Sequence, residues 1–220
     1  MQELLIPTKI IHSNRKSIAL VIECNGDFIV RAPLKSSDKQ IFDFINQKRD
    51  WIIKKRVEQI NNQQKPINLQ ENSSISILGK EHLIQLTNNA RVKVADSIIY
   101  LPATNSKEKL IQYLKKLAKT TITSRVNNTC VKFKFNYSSI SINSAKTRWG
   151  SCTPSNKLHF TYKLMLCPIP IVDYIIIHEL CHTKVKNHSK KFWQLVEYYY
   201  PDYITCEKWL KKNRAIIEFI

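Results

Sequence analysis

The 220-residue chain carries 35 Lys/Arg against 17 Asp/Glu, a formal charge of +18, with 43% hydrophobic residues and three Gly. A sizeable core can form from this composition, whereas a Gly-rich nucleotide loop, a Cys pair at C-x-x-C spacing and an apolar run of the ~20 residues a membrane span needs are excluded. The start, Met1-Gln2-Glu3, has neither a basic nor an apolar leader segment, so free thiols in a reducing cytoplasm are the expectation for its six Cys.

The first hundred residues read as β-hairpins. Ile18 to Glu23 and Asp27 to Arg31 flank Asn25-Gly26, a pair suited to a type I′ turn because both central residues need positive φ. Ser74 to Leu78 and Glu81 to Leu86 flank Gly79-Lys80, and Val92 to Val94 pairs with Ile98 to Leu101. Between the first two hairpins lies a helix that Asp38 can cap. Phe44/Trp51 and Ile45/Ile52 repeat along it at seven-residue spacing, and Asn61-Asn62 and Pro66 end it. A long helix follows from about Ser106 to Val126. Asn105 and Glu108 form its cap pattern, and Leu110, Leu114, Leu117 and Thr121 its apolar stripe.

Beyond it, Ser139 to Ile142, Thr147 to Cys152 and Lys157 to Thr161 read as strands, with Thr153 to Asn156 as a turn. Pro168 and Pro170 then open a helix through Ile175-Ile176-Ile177-His178-Glu179-Leu180-Cys181-His182, which ends near Lys186 or Asn187. One more helix runs from Phe192 to Tyr200, stopped by Pro201, and a last one holds Trp209, Leu210 and Ile216.

The chemistry concentrates in His178-Glu179-x-x-His182. Residues i and i+4 of a helix point the same way, so both imidazoles can reach one ion, and Glu179 can reach a water there without ligating. The helix is apolar on every side just before the motif and is therefore buried. Burying two His and a Glu without a partner is costly, and a metal supplies the partner. His188 follows six residues after His182, and Asn187 tolerates the left-handed turn that returns it to the ion. Three protein ligands with one open position is the pattern of catalytic zinc. Glu197, on the following helix, is the competing third ligand.

Arg148-Trp149-Gly150-Ser151-Cys152, the Pro168 to His182 helix, and Asn187-His188-Ser189 followed by Phe192-Trp193 together resemble the YgjP-like metallopeptidases, grouped with the WLM and SprT-like proteins among the zincins. The similarity runs from the Phe44 to Trp51 region to about Tyr203. It implies a zincin-like α+β core with a twisted sheet packed on the HExxH helix, an edge strand bordering the cleft, and His188 as third ligand. Thr161 departs from the pattern, standing where the family often has Asn. The metzincins also space a third His by six residues, but Val185 replaces their Gly and no Met-turn follows.

The reading is therefore α+β, with a β-rich N-terminal half over residues 1–104 and a metallopeptidase core over 105–220, continuous because no linker separates them. Zinc is the expected cofactor, held by His178, His182 and His188. Glu179 is the general base in the hydrolysis of a protein or peptide substrate. Arg148 stabilises an oxyanion or a substrate carboxylate in one reading and stacks structurally in the other. An extended substrate is expected to join a sheet edge near residues 157–161. His159, Tyr174 and Cys181 read more readily as packing residues, and Phe192 and Trp193 as cover for the site helix.

The charge motivates the alternatives. Residues 101–220 hold 20 Lys/Arg against 7 Asp/Glu, which suits weak, sequence-independent contact with nucleic acid. A SprT-like nucleic-acid-associated protease, or a nucleic-acid binder with a structural metal, is the rival reading. Amide hydrolysis on a non-protein substrate is a third.

Overall fold

A computed structural model describes residues 5–22, 27–61 and 68–218. The Asn25-Gly26 turn and the Asn62 and Pro66 helix stop lie outside these residues. The chain divides into two compact units, 1–64 and 65–220.

In the first unit, β1 (Lys9–Ser13), β2 (Ala19–Ile22) and β3 (Phe28–Pro33) form a sheet of order β1-β3-β2. β2 and β3 pair antiparallel, in line with the hairpin reading. β1 adds in parallel on the far side of β3, a strand the sequence reading omitted. Strand alternation puts Phe28, Val30 and Ala32 into a core with Ile41, Ile45 and Ile52. The predicted single helix is two, α1 (Asp38–Gln47) and α2 (Arg49–Asn61), separated at Lys48. Its cap is Ser37 rather than Asp38. The Ser37 hydroxyl accepts from the Gln40 amide, and the Gln40 side chain accepts from the Ser37 amide, a complete capping box.

The second unit opens with β4 (Ser74–Ile77), β5 (Lys80–Thr87), β6 (Lys93–Ala95) and β7 (Ile98–Pro102), in the order β4-β5-β7-β6. Both predicted hairpins are present. The turn between β4 and β5 centres on Leu78-Gly79 rather than Gly79-Lys80, with φ of 52° and 83°. Gly79 is needed there twice, for its positive φ and because a Cβ would stand 3.2 Å from Pro168 Cα. The Leu78 amide also donates to the Met165 carbonyl at 2.8 Å, so this turn braces the segment that launches the site helix.

α3 (Ser106–Phe133) packs its face Leu110, Leu114, Ala118, Ile122 and Val126 into the main core. The predicted stripe holds at Leu110 and Leu114 and then shifts by one position, leaving Leu117 and Thr121 at its margin. Asn105 precedes α3 in a left-handed conformation without a side-chain cap, so the predicted cap pattern is absent. The Ser106 hydroxyl instead donates to the Pro102 carbonyl at 2.6 Å.

β8 (Ser139–Asn143), β9 (Gly150–Cys152) and β10 (Lys157–Thr161) form the third sheet, in the order β8-β10-β9. β10 is its central strand, parallel to β8 and antiparallel to β9. Residues 157–161 therefore have no free edge for a substrate. Among the described residues, the strand of this sheet with a free edge that packs on the site helix is β9. A 3-10 turn (Tyr162–Leu166) then leads to α4 (Ile169–Cys181), followed by α5 (Lys190–Tyr199), α6 (Tyr203–Lys212) and α7 (Ala215–Glu218). The predicted last helix is thus two, parted at Asn213. Strands 74–102, α3, β10 and α4 share one hydrophobic core, with Ile84, Leu101, Leu114, Phe160 and Ile176 fully buried in it. No helix among the described residues is long and apolar enough to cross a membrane.

Candidate active site

α4 is buried on most of its surface, as its run of Ile predicts. It ends earlier than expected, at Cys181, with His182 as its cap residue in αR conformation. Hydrogen bonds from the amides of Thr183, Lys184 and Val185 to Leu180 and Cys181 carry the chain on in tight turns. Asn187 is not left-handed. Its side-chain oxygen accepts from the Ser189 amide at 3.4 Å and shapes the approach to α5.

These turns bring His188 back to the helix. His182 Nε2 lies 3.1 Å from His188 Nε2, which lies 3.2 Å from His178 Nε2. Ligand atoms of the three residues all fall within 4.8 Å of one another. Glu197 is exposed on α5 and outside this group.

The donor chemistry fits a cation. His182 Nδ1 stands 3.0 Å from the Val185 carbonyl, which only accepts, so the ring proton sits on Nδ1 and the Nε2 lone pair points into the cluster. Burial, and then the neighbouring imidazoles, push His178 down to about 3, so its ring is neutral at ordinary pH. His182 is lowered as well, by burial first, against the opposing pull of the Val185 carbonyl. Three donors at ~2.0–2.1 Å from a tetrahedral zinc stand about 3.4 Å apart, close to the spacing here.

Aromatic rings wall the cluster. Phe192 is fully buried and stacks on His182 at 4.3 Å between centroids, 22° from parallel. Trp193 stacks on His188 at 5.8 Å. These two residues cover the site, as their place after His188 suggests.

Glu179 is 5% exposed, and its Oε2 has no hydrogen-bond partner among the described residues. Burial raises its carboxyl to about 8, against a lowering pull from Arg148. Arg148 itself is exposed and acts on Glu179 through its field. The carboxylate has room only because position 150 lacks a side chain. A Cβ there would stand 2.7 Å from both Cγ and Oε1 of Glu179. Gly150, noted in the sequence only as part of a shared motif, is thus a site residue by contact. Cys152, on the same strand, receives a 3.7 Å contact from Lys186 Nζ.

Tyr174, one turn before His178, is 2% exposed. Its hydroxyl lies 3.4 Å from His178 Nδ1 and 3.4 Å from Glu207 Oε1 on α6. The sequence signals Tyr174 by its i−4 position, but nothing in it signals Glu207, 33 residues away. His159 pairs instead with Ser141 on β8, 2.5 Å from its Oγ. Cys181 is buried in the core, its thiol pushed up to about 12 by that burial. Thr161 is buried as well, donating to the Ala145 carbonyl at 3.4 Å and so holding the loop before β9.

An α+β unit whose buried HExxH helix gathers three imidazoles beside a buried carboxylate has the makeup of a zincin-like metallopeptidase. Family comparison agrees: the model of the YgjP-like metallopeptidase domain matches residues 16–213, and the chain belongs to that family. Among solved structures it is similar to the metallopeptidase zymogen jannalysin of Methanocaldococcus jannaschii. That similarity has 27% identity, covers 41% of this chain and 95% of that one, and gives a TM-score of 0.35. No curated protein matches the chain.

Proposed function

We propose that the protein is a zinc-dependent peptidase in which His178, His182 and His188 hold the ion and Glu179 is the general base. One observation carries this reading: three imidazole Nε2 atoms converge beside a buried carboxylate whose Oε2 has no hydrogen-bond partner among the described residues. When bound, zinc supplies a Lewis acid that acidifies water and polarises a substrate carbonyl. Glu179 takes a proton from the attacking water and passes it to the leaving amine. Its surroundings suit that exchange, because burial moves the carboxyl toward neutral pH, where it can both accept and return a proton. Gly150 keeps the space that Glu179 needs. Arg148, exposed at the mouth, meets developing negative charge or a substrate carboxylate. An extended protein or peptide substrate lies along the free edge of β9, where backbone pairing is independent of sequence. A cytoplasmic location is part of the same proposal, and the five free Cys among the described residues suit it.

The deciding experiment measures metal content and hydrolysis of an unfolded protein for the wild type and Glu179→Gln. Gln keeps the shape and can hydrogen-bond the water, but it cannot accept its proton. The expected outcome is one zinc per chain in both proteins and hydrolysis in the wild type only. Purified, unchelated wild type without zinc, or a variant with wild-type turnover, overturns the proposal.

A further inference from the structure

Proton counting along one short chain of groups decides which nitrogen of His178 is free. The Tyr174 hydroxyl carries one proton and stands 3.4 Å from both His178 Nδ1 and Glu207 Oε1. An ionised carboxylate only accepts. Tyr174 therefore donates to Glu207, and its oxygen is left to accept from His178. That places the His178 proton on Nδ1 and the lone pair on Nε2, the atom that faces His188. His182 reaches the same tautomer through the Val185 carbonyl, so two rings of the cluster are oriented by different means.

Glu207 is held for this task by more than its own bond. α6 is tied to the start of α4, where Cys206 Sγ lies 3.9 Å from the Pro170 carbonyl and Tyr200, just before α6, donates to the same carbonyl at 2.8 Å. Tyr203 at the start of α6 stacks on Trp193, itself stacked on His188. The face of the helix that presents Glu207 is thus packed against two elements that build the site, α4 and α5.

We propose that Tyr174 and Glu207 are positioning residues for the metal centre, a His178–Tyr174–Glu207 chain that sets the tautomer and ring orientation of His178. Glu207 adds a negative charge at the far end, which strengthens Nε2 as a donor. The proposal rests on the reading that the three His hold zinc. A merely structural Tyr174 fills the core and affects folding, with no effect on the ion.

The test is equilibrium competition for zinc between a chromophoric chelator and the full chain, for wild type, Tyr174→Phe, Glu207→Gln and the double variant. Melting of the chelated proteins is followed in parallel. Tyr174→Phe is expected to weaken zinc binding by about 10–100-fold, the usual range for such outer partners. Glu207→Gln weakens it less, because Gln still accepts from Tyr174 without the charge. The double variant is no weaker than Tyr174→Phe alone, since the chain is already cut at its first link. Wild-type affinity in Tyr174→Phe, or losses that add in the double variant, overturns the positioning role while leaving the zinc site intact. Failure of the wild type to bind zinc overturns the metal reading and this inference with it. Should Tyr174→Phe not fold, Glu207→Leu decides alone: the side chain is half-buried, Leu removes the acceptor of the Tyr174 proton, and unchanged zinc affinity there refutes the chain.

Discussion

A methyl group at position 150 would stand 2.7 Å from Glu179 Cγ and Oε1, closer than real contacts allow. Glu179 sits on a buried helix and has little space to retreat, so the cost falls on the carboxylate. Gly150→Ala is therefore expected to retain zinc, because the three imidazoles are untouched, and to lose at least tenfold in hydrolysis of an unfolded protein. Wild-type activity in that variant would show that Glu179 can do its work from a displaced position. That His178, Glu179 and His182 share one site was legible in the sequence because HExxH is a local pattern, with i and i+4 on one helix face. The role of Gly150 was not, since it depends on β9 lying against α4.

Helix ends were the elements read least well, and in each case a competing local interaction explains the difference. Ser37 takes the cap from Asp38 because Gln40 completes a reciprocal pair of hydrogen bonds with it. Ser37→Ala should cost about 1 kcal/mol in guanidinium unfolding of the chain. Asp38→Asn should cost only a few tenths, as a lost first-turn charge. The opposite ranking would return the cap to Asp38. α4 stops at Cys181, several residues before the polar stretch that suggested its end. The early stop has a consequence for the site: the Val185 carbonyl, freed from any continuing helix, becomes the partner of His182 Nδ1. α3 begins without the expected side-chain cap, because its preceding residue is left-handed and Ser106 bonds backward to Pro102.

At the scale of the whole molecule, the charge of +18 is the largest feature the site does not use. Lys and Arg without a matching acidic surface attract phosphate backbones by counterion release. Binding to nucleic acid is therefore expected to be weak, indifferent to sequence and steeply reduced as salt rises. Retardation of random-sequence DNA between 50 and 200 mM salt, order-of-magnitude conditions over which such contacts fade, measures it. Binding that resists salt would instead favour a dedicated nucleic-acid site and a SprT-like role.

Turn chemistry and strand alternation sufficed for the hairpins of β4 to β7, and apolar periodicity for the first half of α3, because these signals act between residues a few positions apart. The HExxH pair and His188 were equally local, lying within eleven residues, although the turns that return His188 are not the left-handed one at Asn187 that the sequence suggests. The parallel additions of β1 to β3 and of β8 to β10, the pressure of Gly150 on Glu179 and the reach of Glu207 to Tyr174 were decided only in the tertiary structure. Each joins segments 18 or more residues apart. No short-range propensity encodes such a pairing, which forms when buried faces pack and polar groups inside the core find partners.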